Sequence, residues 1–172
     1  MQESIRLYCG IDIGKHGGMS YLDESGVLLH YCNFPRVKGN SDYEGYDVEA
    51  LGRLFDMYKD KYSVKEVLYC MEKIWAIPGY RIQTAFSLGI QLGILRMLLR
   101  GRNKCYVYPR QWQGHYWEKL EEGETSKTMS KKVCENLYGV GDDLVSDGIT
   151  DSILIARYVY DIRNGNIGEI KE

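Results

Sequence analysis

The chain has 172 residues, 44% hydrophobic and 27% charged, which suits one globular domain over 1–172 and excludes a disordered polymer. Its formal net charge of −2 argues against a protein whose whole surface binds nucleic acid. It leaves room for a local basic groove or for carboxylates gathered around a cation. Cys9, Cys32, Cys70, Cys105 and Cys134 form no CxxC or zinc pattern and point to reduced thiols in the cytoplasm. Glu3 and Arg6 precede a short strand-like run, so no signal peptide is expected. The most apolar stretch, TAFSLGIQLGILRMLL, is interrupted by Gln91 and bracketed too closely by Arg81 and Arg96 for a membrane span. It is expected to be a buried helix.

In chain order, IRLYCGIDIG reads as a strand over 5–13. GMSYLDESGVLLHYCNFP reads as a hairpin turning at DESG. After the polar loop NSDYEGYD, apolar Val48, Leu51, Leu54, Phe55 and Tyr58 recur at helical spacing behind Asp47, a good N-cap. VKEVLYCMEK is a second buried strand, IPGYR breaks the chain, and a long helix follows over 81–100. KCYVYP is a short strand closed by Pro109, and RQWQGHYWEKLEEGE is irregular or partly helical. TSKTMSKKVCENLYG is a helix with a Ser or Thr N-cap and Gly139 as C-cap, and SDGITDSILIARYVYDIRNG is the last helix. The hairpin gives antiparallel pairing and the later crossovers give parallel pairing. The expected architecture is an α/β domain with a mixed sheet and helices on both faces.

Four acids stand out. Asp12 interrupts an apolar strand, on the face shared by Tyr8 and Gly10, and an unpaired buried charge is expensive. Gly10 and Gly14 read as open space beside it. Glu72 ends a second apolar strand, where ligands bind in α/β sheets, on the face of Leu68 and Cys70. Asp147 and Asp151 lie four apart at the start of the last helix, one turn apart on one face, with Asp147 also readable as its N-cap. Any one of these acids has an ordinary explanation as a cap or a solvated side chain. All four together would repel one another without a cation. Oxygen ligands suit Mg²⁺ or Mn²⁺, and two such ions about 4 Å apart activate water and stabilise a leaving oxygen in phosphodiester cleavage.

The order of elements, with GIDIG, YCMEK, the long helix GYRIQTAFSLGIQLGILRMLL, VYPRQWQ, the basic helix start SKTMSKKV and the closing DGITDSILIARY, resembles the RNase H-like superfamily. Within it the chain looks most like the RuvC-like Holliday junction resolvases, especially the phage and poxvirus branch, over nearly its whole length. The resemblance implies a five-stranded mixed sheet in the order 3-2-1-4-5. It also implies Asp12, Glu72, Asp147 and Asp151 as ligands of two Mg²⁺ or Mn²⁺ ions, and four-way or other branched DNA as substrate. The last two ligands are four apart here and often three apart in bacterial resolvases, and Asp142 and Asp143 stand nearby as alternatives to Asp147.

Lys15, Arg81, Arg110, Lys127, Lys131 and Lys132 are candidates for contacts to the DNA backbone. Trp75, Ile77 and Tyr80, in the loop after Glu72, could wedge into an opened junction or simply roof the core. Ala85, Gly89 and Gly93 form a stripe of small residues on the long helix, which either lies tightly on the sheet or pairs with its copy. The resemblance favours a homodimer through this helix, whose two-fold symmetry would match a two-fold junction. The expected setting is the cytoplasm of a bacterium or of a phage- or virus-infected cell. Two other classes share parts of this pattern. An ATPase of the actin and sugar-kinase type also opens with GIDIG, but it needs a second domain and a second phosphate loop. An inactive RNase H-like binding module would have no use for all four acids.

Overall fold

The computed structural model describes residues 5–37, 45–61, 64–74, 81–117, 119–141 and 145–165. Its strands are β1 (Ile5–Asp12), β2 (Gly18–Leu22), β3 (Leu28–Asn33), β4 (Val64–Glu72) and β5 (Lys104–Val107). Its helices are α1 (Val48–Lys61), α2 (Ile82–Leu98), α3 (Pro109–Tyr116), α4 (Ser126–Tyr138) and α5 (Asp147–Arg163). The strands form one mixed sheet in the order β3-β2-β1-β4-β5. β1 is antiparallel to β2, and β2 to β3. β4 lies parallel to β1 and to β5.

Local chemistry explains the element ends. In the β2–β3 turn the Asp23 carboxylate accepts from the amides of Ser25 and Val27, and Gly26 takes the positive φ of 79° that the turn requires. Asp47 caps α1 by accepting from the Ala50 amide at 3.0 Å. Thr125 and Thr128 cap α4 reciprocally, and Gly139 ends it in the left-handed region.

Alternation along β1 sends Leu7, Cys9 and Ile11 to one face of the sheet, where Leu51 and Phe55 of α1 and Leu95 of α2 complete a core. The other face carries Tyr8, Leu68, Cys70 and Val107 under Trp112 of α3, Cys134 of α4 and Ile153, Leu154 and Ile155 of α5. Helices therefore cover both faces, as expected.

The long helix corrects its sequence reading. It is not buried: within it only Gln91 and Leu95 are fully covered, while Ile82, Phe86 and Met97 are exposed, Ile82 at 87%. Its apolar residues run all round the cylinder, but the sheet takes only the side bearing Leu88, Leu92, Leu95 and Leu98. Gly89 and Gly93 are exposed, and a Cβ at either would meet nothing within 4 Å. They do not serve close packing on the sheet. Among the described residues, no helix is long and apolar enough to cross a membrane.

Candidate active site

β1 and β4 run parallel with Ile11 opposite Met71, so their next residues, Asp12 and Glu72, emerge side by side at the carboxyl end of the sheet. α5 supplies the other two acids, and three glycines set its position. A Cβ on Gly10 would lie 1.9 Å from the Ser152 carbonyl oxygen and 2.6 Å from the Ala156 nitrogen. A Cβ on Gly148 would lie 2.1 Å from the His16 carbonyl oxygen, and Gly17 and Gly148 form a parallel bridge. Backbone-to-backbone contact thus holds the first turns of α5 over the end of β1. This corrects the reading of Gly10 as open space: helix backbone fills it. At Gly14 the space is open, and nothing lies within 4 Å of an added Cβ.

Asp147 is the first residue of α5. It is not the N-cap, which is Ser146, and no side chain caps the helix. The Ser146 hydroxyl instead bonds to Asn33 at the end of β3. The Asp147 carboxylate is free to face the Lys127 ammonium at 2.9 Å and that of Lys131 at 4.0 Å. With Lys127 69% exposed, this ion pair contributes little to folding.

The remaining acids crowd one another. Burial pushes Asp12 well above the usual carboxylate range, and the negative charges of Asp151, Glu72 and Asp147 push it further, against one opposing bond from the Ile13 amide. Burial, with Glu72 and Asp147 adding repulsion, raises Asp151 to about 7 despite the nearby Ser130 hydroxyl and Lys127. Asp151 Oδ1 is buried and has no hydrogen-bond partner. Burial also raises Glu72, and the Trp112 indole N–H, donating to Glu72 Oε1 at 3.0 Å, opposes the rise. Among the described residues, no three His, Cys, Asp or Glu side chains converge into a ready-made metal cage. The site is an acidic cluster of hard oxygen donors alone, whose negative charges press on Asp12 and Asp151.

The other expected contacts divide. Lys127 and Lys131 stand at the acids. Lys132, one residue on, pairs with Glu124 instead. Lys15 is exposed in the loop after Asp12, and that loop is pinned where Tyr46 OH bonds both the amide and the carbonyl of Gly14. Arg110 is exposed in the first turn of α3, and Arg81 is exposed at the N-cap of α2. Trp75, Ile77 and Tyr80, and the alternative acids Asp142 and Asp143, lie outside the described residues.

Sequence reasoning missed two neighbours of the acids. Trp112 is 1% exposed and bonded to Glu72. The only hint was its place in VYPRQWQ, and a buried indole needs an acceptor for its N–H. Ser130 is buried one turn before Cys134 in α4 and lies beside Asp151. The i, i+4 spacing of these two small residues was the available signal.

No family model matches the chain, and no curated protein matches it. Solved structures do. Thermus thermophilus RuvC in complex with a Holliday junction substrate is 15% identical, with 95% of this chain and 97% of that chain covered and a TM-score of 0.59. A second Thermus thermophilus RuvC structure is also 15% identical, with 92% and 96% covered and a TM-score of 0.60. The yeast mitochondrial Holliday junction resolvase is 16% identical, with 92% and 78% covered and a TM-score of 0.47. At such identities the likeness is one of fold: the chain has the RuvC-like, RNase H-type α/β fold, with the strand order expected for it.

Proposed function

We propose that the chain is a divalent-cation-dependent, structure-selective DNA endonuclease that resolves four-way junctions by paired phosphodiester nicking. The observation that carries this reading is the gathering of Asp12, Glu72, Asp147 and Asp151 at one end of a RuvC-like sheet, close enough that the other three raise the proton affinity of Asp12, and Glu72 and Asp147 raise that of Asp151. The donor set fits a hard cation: it is all oxygen, and one buried oxygen, Asp151 Oδ1, is left without a partner. These four acids would hold Mg²⁺ or Mn²⁺, two ions per site. When bound, the ions supply activation of a water molecule and stabilisation of the leaving oxygen.

The chain's own groups do the rest. Asp12 and Glu72 are fixed on adjacent strands and need no rearrangement to present their oxygens together. Lys127 and Lys131 place positive charge where a phosphate would approach, and exposed Lys15 and Arg110 extend it along a DNA backbone. Two copies would meet through α2, a reading supported by the exposed Phe86, Gly89, Gly93 and Met97, which share one side of the helix away from the sheet.

The test compares four-way junctions with flaps, Y-forks and RNA–DNA hybrids in Mg²⁺ and in Mn²⁺. Paired nicks in opposed strands of the four-way junction are expected. ATP hydrolysis without DNA would replace this reading with a phosphotransferase, and junction binding without cleavage would replace it with a binding module. Release of singly nicked junctions only would remove the paired, dimeric part.

The acid cluster also predicts how stability depends on pH. Asp151 and Asp12 bind protons more tightly in the folded chain than in the unfolded one, where an aspartate titrates near 3.8. Between about pH 4 and 7 the folded state therefore holds more protons, and stability falls as pH rises. In EDTA the thermal midpoint should drop by about 5 °C across that window. Saturating Mg²⁺ should flatten the drop, and a flat profile in EDTA would show that folding does not raise the proton affinity of Asp12 and Asp151.

A further inference from the structure

We propose that Trp112 is a positioning residue for Glu72: its indole N–H fixes which carboxylate oxygen is turned toward the cation site. This rests on the reading of Glu72 as a ligand and goes beyond it, because it assigns the orientation of that ligand to a named neutral donor. The Trp112 N–H donates to Glu72 Oε1 at 3.0 Å, a good N–H···O distance. An indole has one donor and no acceptor, so it can hold one oxygen of the carboxylate while adding no charge and taking no place at a cation. Asp147 is treated differently, since it is met by the ammonium groups of Lys127 and Lys131. With one lone pair of Oε1 engaged, Oε2 is the oxygen that keeps both lone pairs for a ligand.

The donor is itself held in place. Trp112 is buried, and its ring meets that of Trp117 edge-on, with centroids 5.9 Å apart. It projects from α3, which begins with Pro109 and a reciprocal Tyr108–Gln111 cap immediately after β5. Beyond Trp112, the Tyr116 hydroxyl donates to the Leu154 carbonyl of α5 at 3.2 Å. The Lys73 amide, next to Glu72, donates to the Val107 carbonyl at 2.7 Å. One short rigid path therefore joins the end of β4, the start of α3 and the helix that carries Asp147 and Asp151. Removing a donor of this kind beside a metal ligand typically weakens metal affinity ten- to a hundredfold.

The test uses the full-length chain without DNA. Mn²⁺ binding to the parent and to Trp112→Phe is measured by calorimetry, beside the thermal midpoint of each in EDTA. Affinity is expected to fall about tenfold or more in the variant. A lowered midpoint with unchanged Mn²⁺ affinity would mean a packing role only and would overturn the proposal. The second arm needs only a folded parent. Its indole N–H resonances are assigned by substituting Trp75 and Trp117 in turn. The Trp112 signal is expected to move on adding Mg²⁺ and on Glu72→Gln, and a signal indifferent to both would overturn the proposal even if Trp112→Phe failed to fold. A parent that binds no divalent ion would remove the nuclease reading and this one together. A parent that binds Mn²⁺ and cuts junctions beside a variant of equal affinity would remove this one alone.

Discussion

Asp12→Asn is expected to reduce junction cleavage by about a thousandfold or more, the loss of several kcal/mol of transition-state stabilisation, while four-way junctions still bind. The amide keeps the volume and the strand position of the carboxylate, so β1 and its pairing to β2 and β4 have no reason to change. The change removes one negative oxygen from the centre of the cluster, the group on which Asp151, Glu72 and Asp147 all act. Affinity for junctions comes mainly from contacts to the phosphate backbone, and a carboxylate next to phosphate only opposes it. Binding should therefore be unchanged or slightly tighter. The same substitution should raise the thermal midpoint in EDTA near neutral pH, because it removes a carboxyl group whose ionisation the folded chain disfavours and the unfolded chain does not. Cleavage at the parental rate would remove Asp12 from the site. Lost binding together with a lowered midpoint would assign it a structural role.

The three observations in that experiment separate what the sequence made legible from what it did not. Asp12 was legible because the pattern around it is local: isoleucines on both sides, a period-two strand and glycine beyond. Glu72 and the Asp147–Asp151 pair were legible for the same reason, each at the end of a clear strand or the start of a clear helix. The hairpin and the crossovers by themselves give only a mixed sheet, and the order of its strands comes from the family resemblance. What was not legible depends on contacts between distant segments. Nothing local says that Trp112 reaches Glu72, forty residues earlier, or that Lys127 faces Asp147 while Lys132 turns to Glu124. The long helix was misjudged because composition reports how apolar a segment is. It does not report how much apolar surface its neighbours can cover, and here the sheet covers one side of α2. The Asp147 cap failed for a subtler reason. Ser146 occupies the cap position, and Asp147, one place inside, turns its carboxylate to the lysines of α4.

Gly10→Ala is expected to cost about 3 kcal/mol of stability, at the upper end of what overpacking a core does, and to reduce cleavage further than the stability loss explains. A methyl group at this position would sit 1.9 Å from the Ser152 carbonyl oxygen and 2.6 Å from the Ala156 nitrogen, and both are helix backbone, which has no rotamer to yield. Moving the Gly10 methyl clear requires α5 to lift or slide relative to β1. α5 carries Asp147 and Asp151, whereas β1 carries Asp12 two residues beyond Gly10, so any such shift alters the spacing of the acids directly. By contrast, Gly14→Ala meets open space and should leave both stability and activity close to the parent. The measurement is a pair of urea unfolding curves for the two variants, read as a shift in midpoint at unchanged slope. Cleavage is then assayed well below the midpoint of each. Equal behaviour of Gly10→Ala and Gly14→Ala would show that α5 does not rest on β1 at this point. A destabilised Gly10→Ala that still cuts at the parental rate would show that the acids tolerate displacement of the helix. The expected result, loss of both stability and cleavage at Gly10 only, would make the close approach of two backbones the device that sets the spacing of the site.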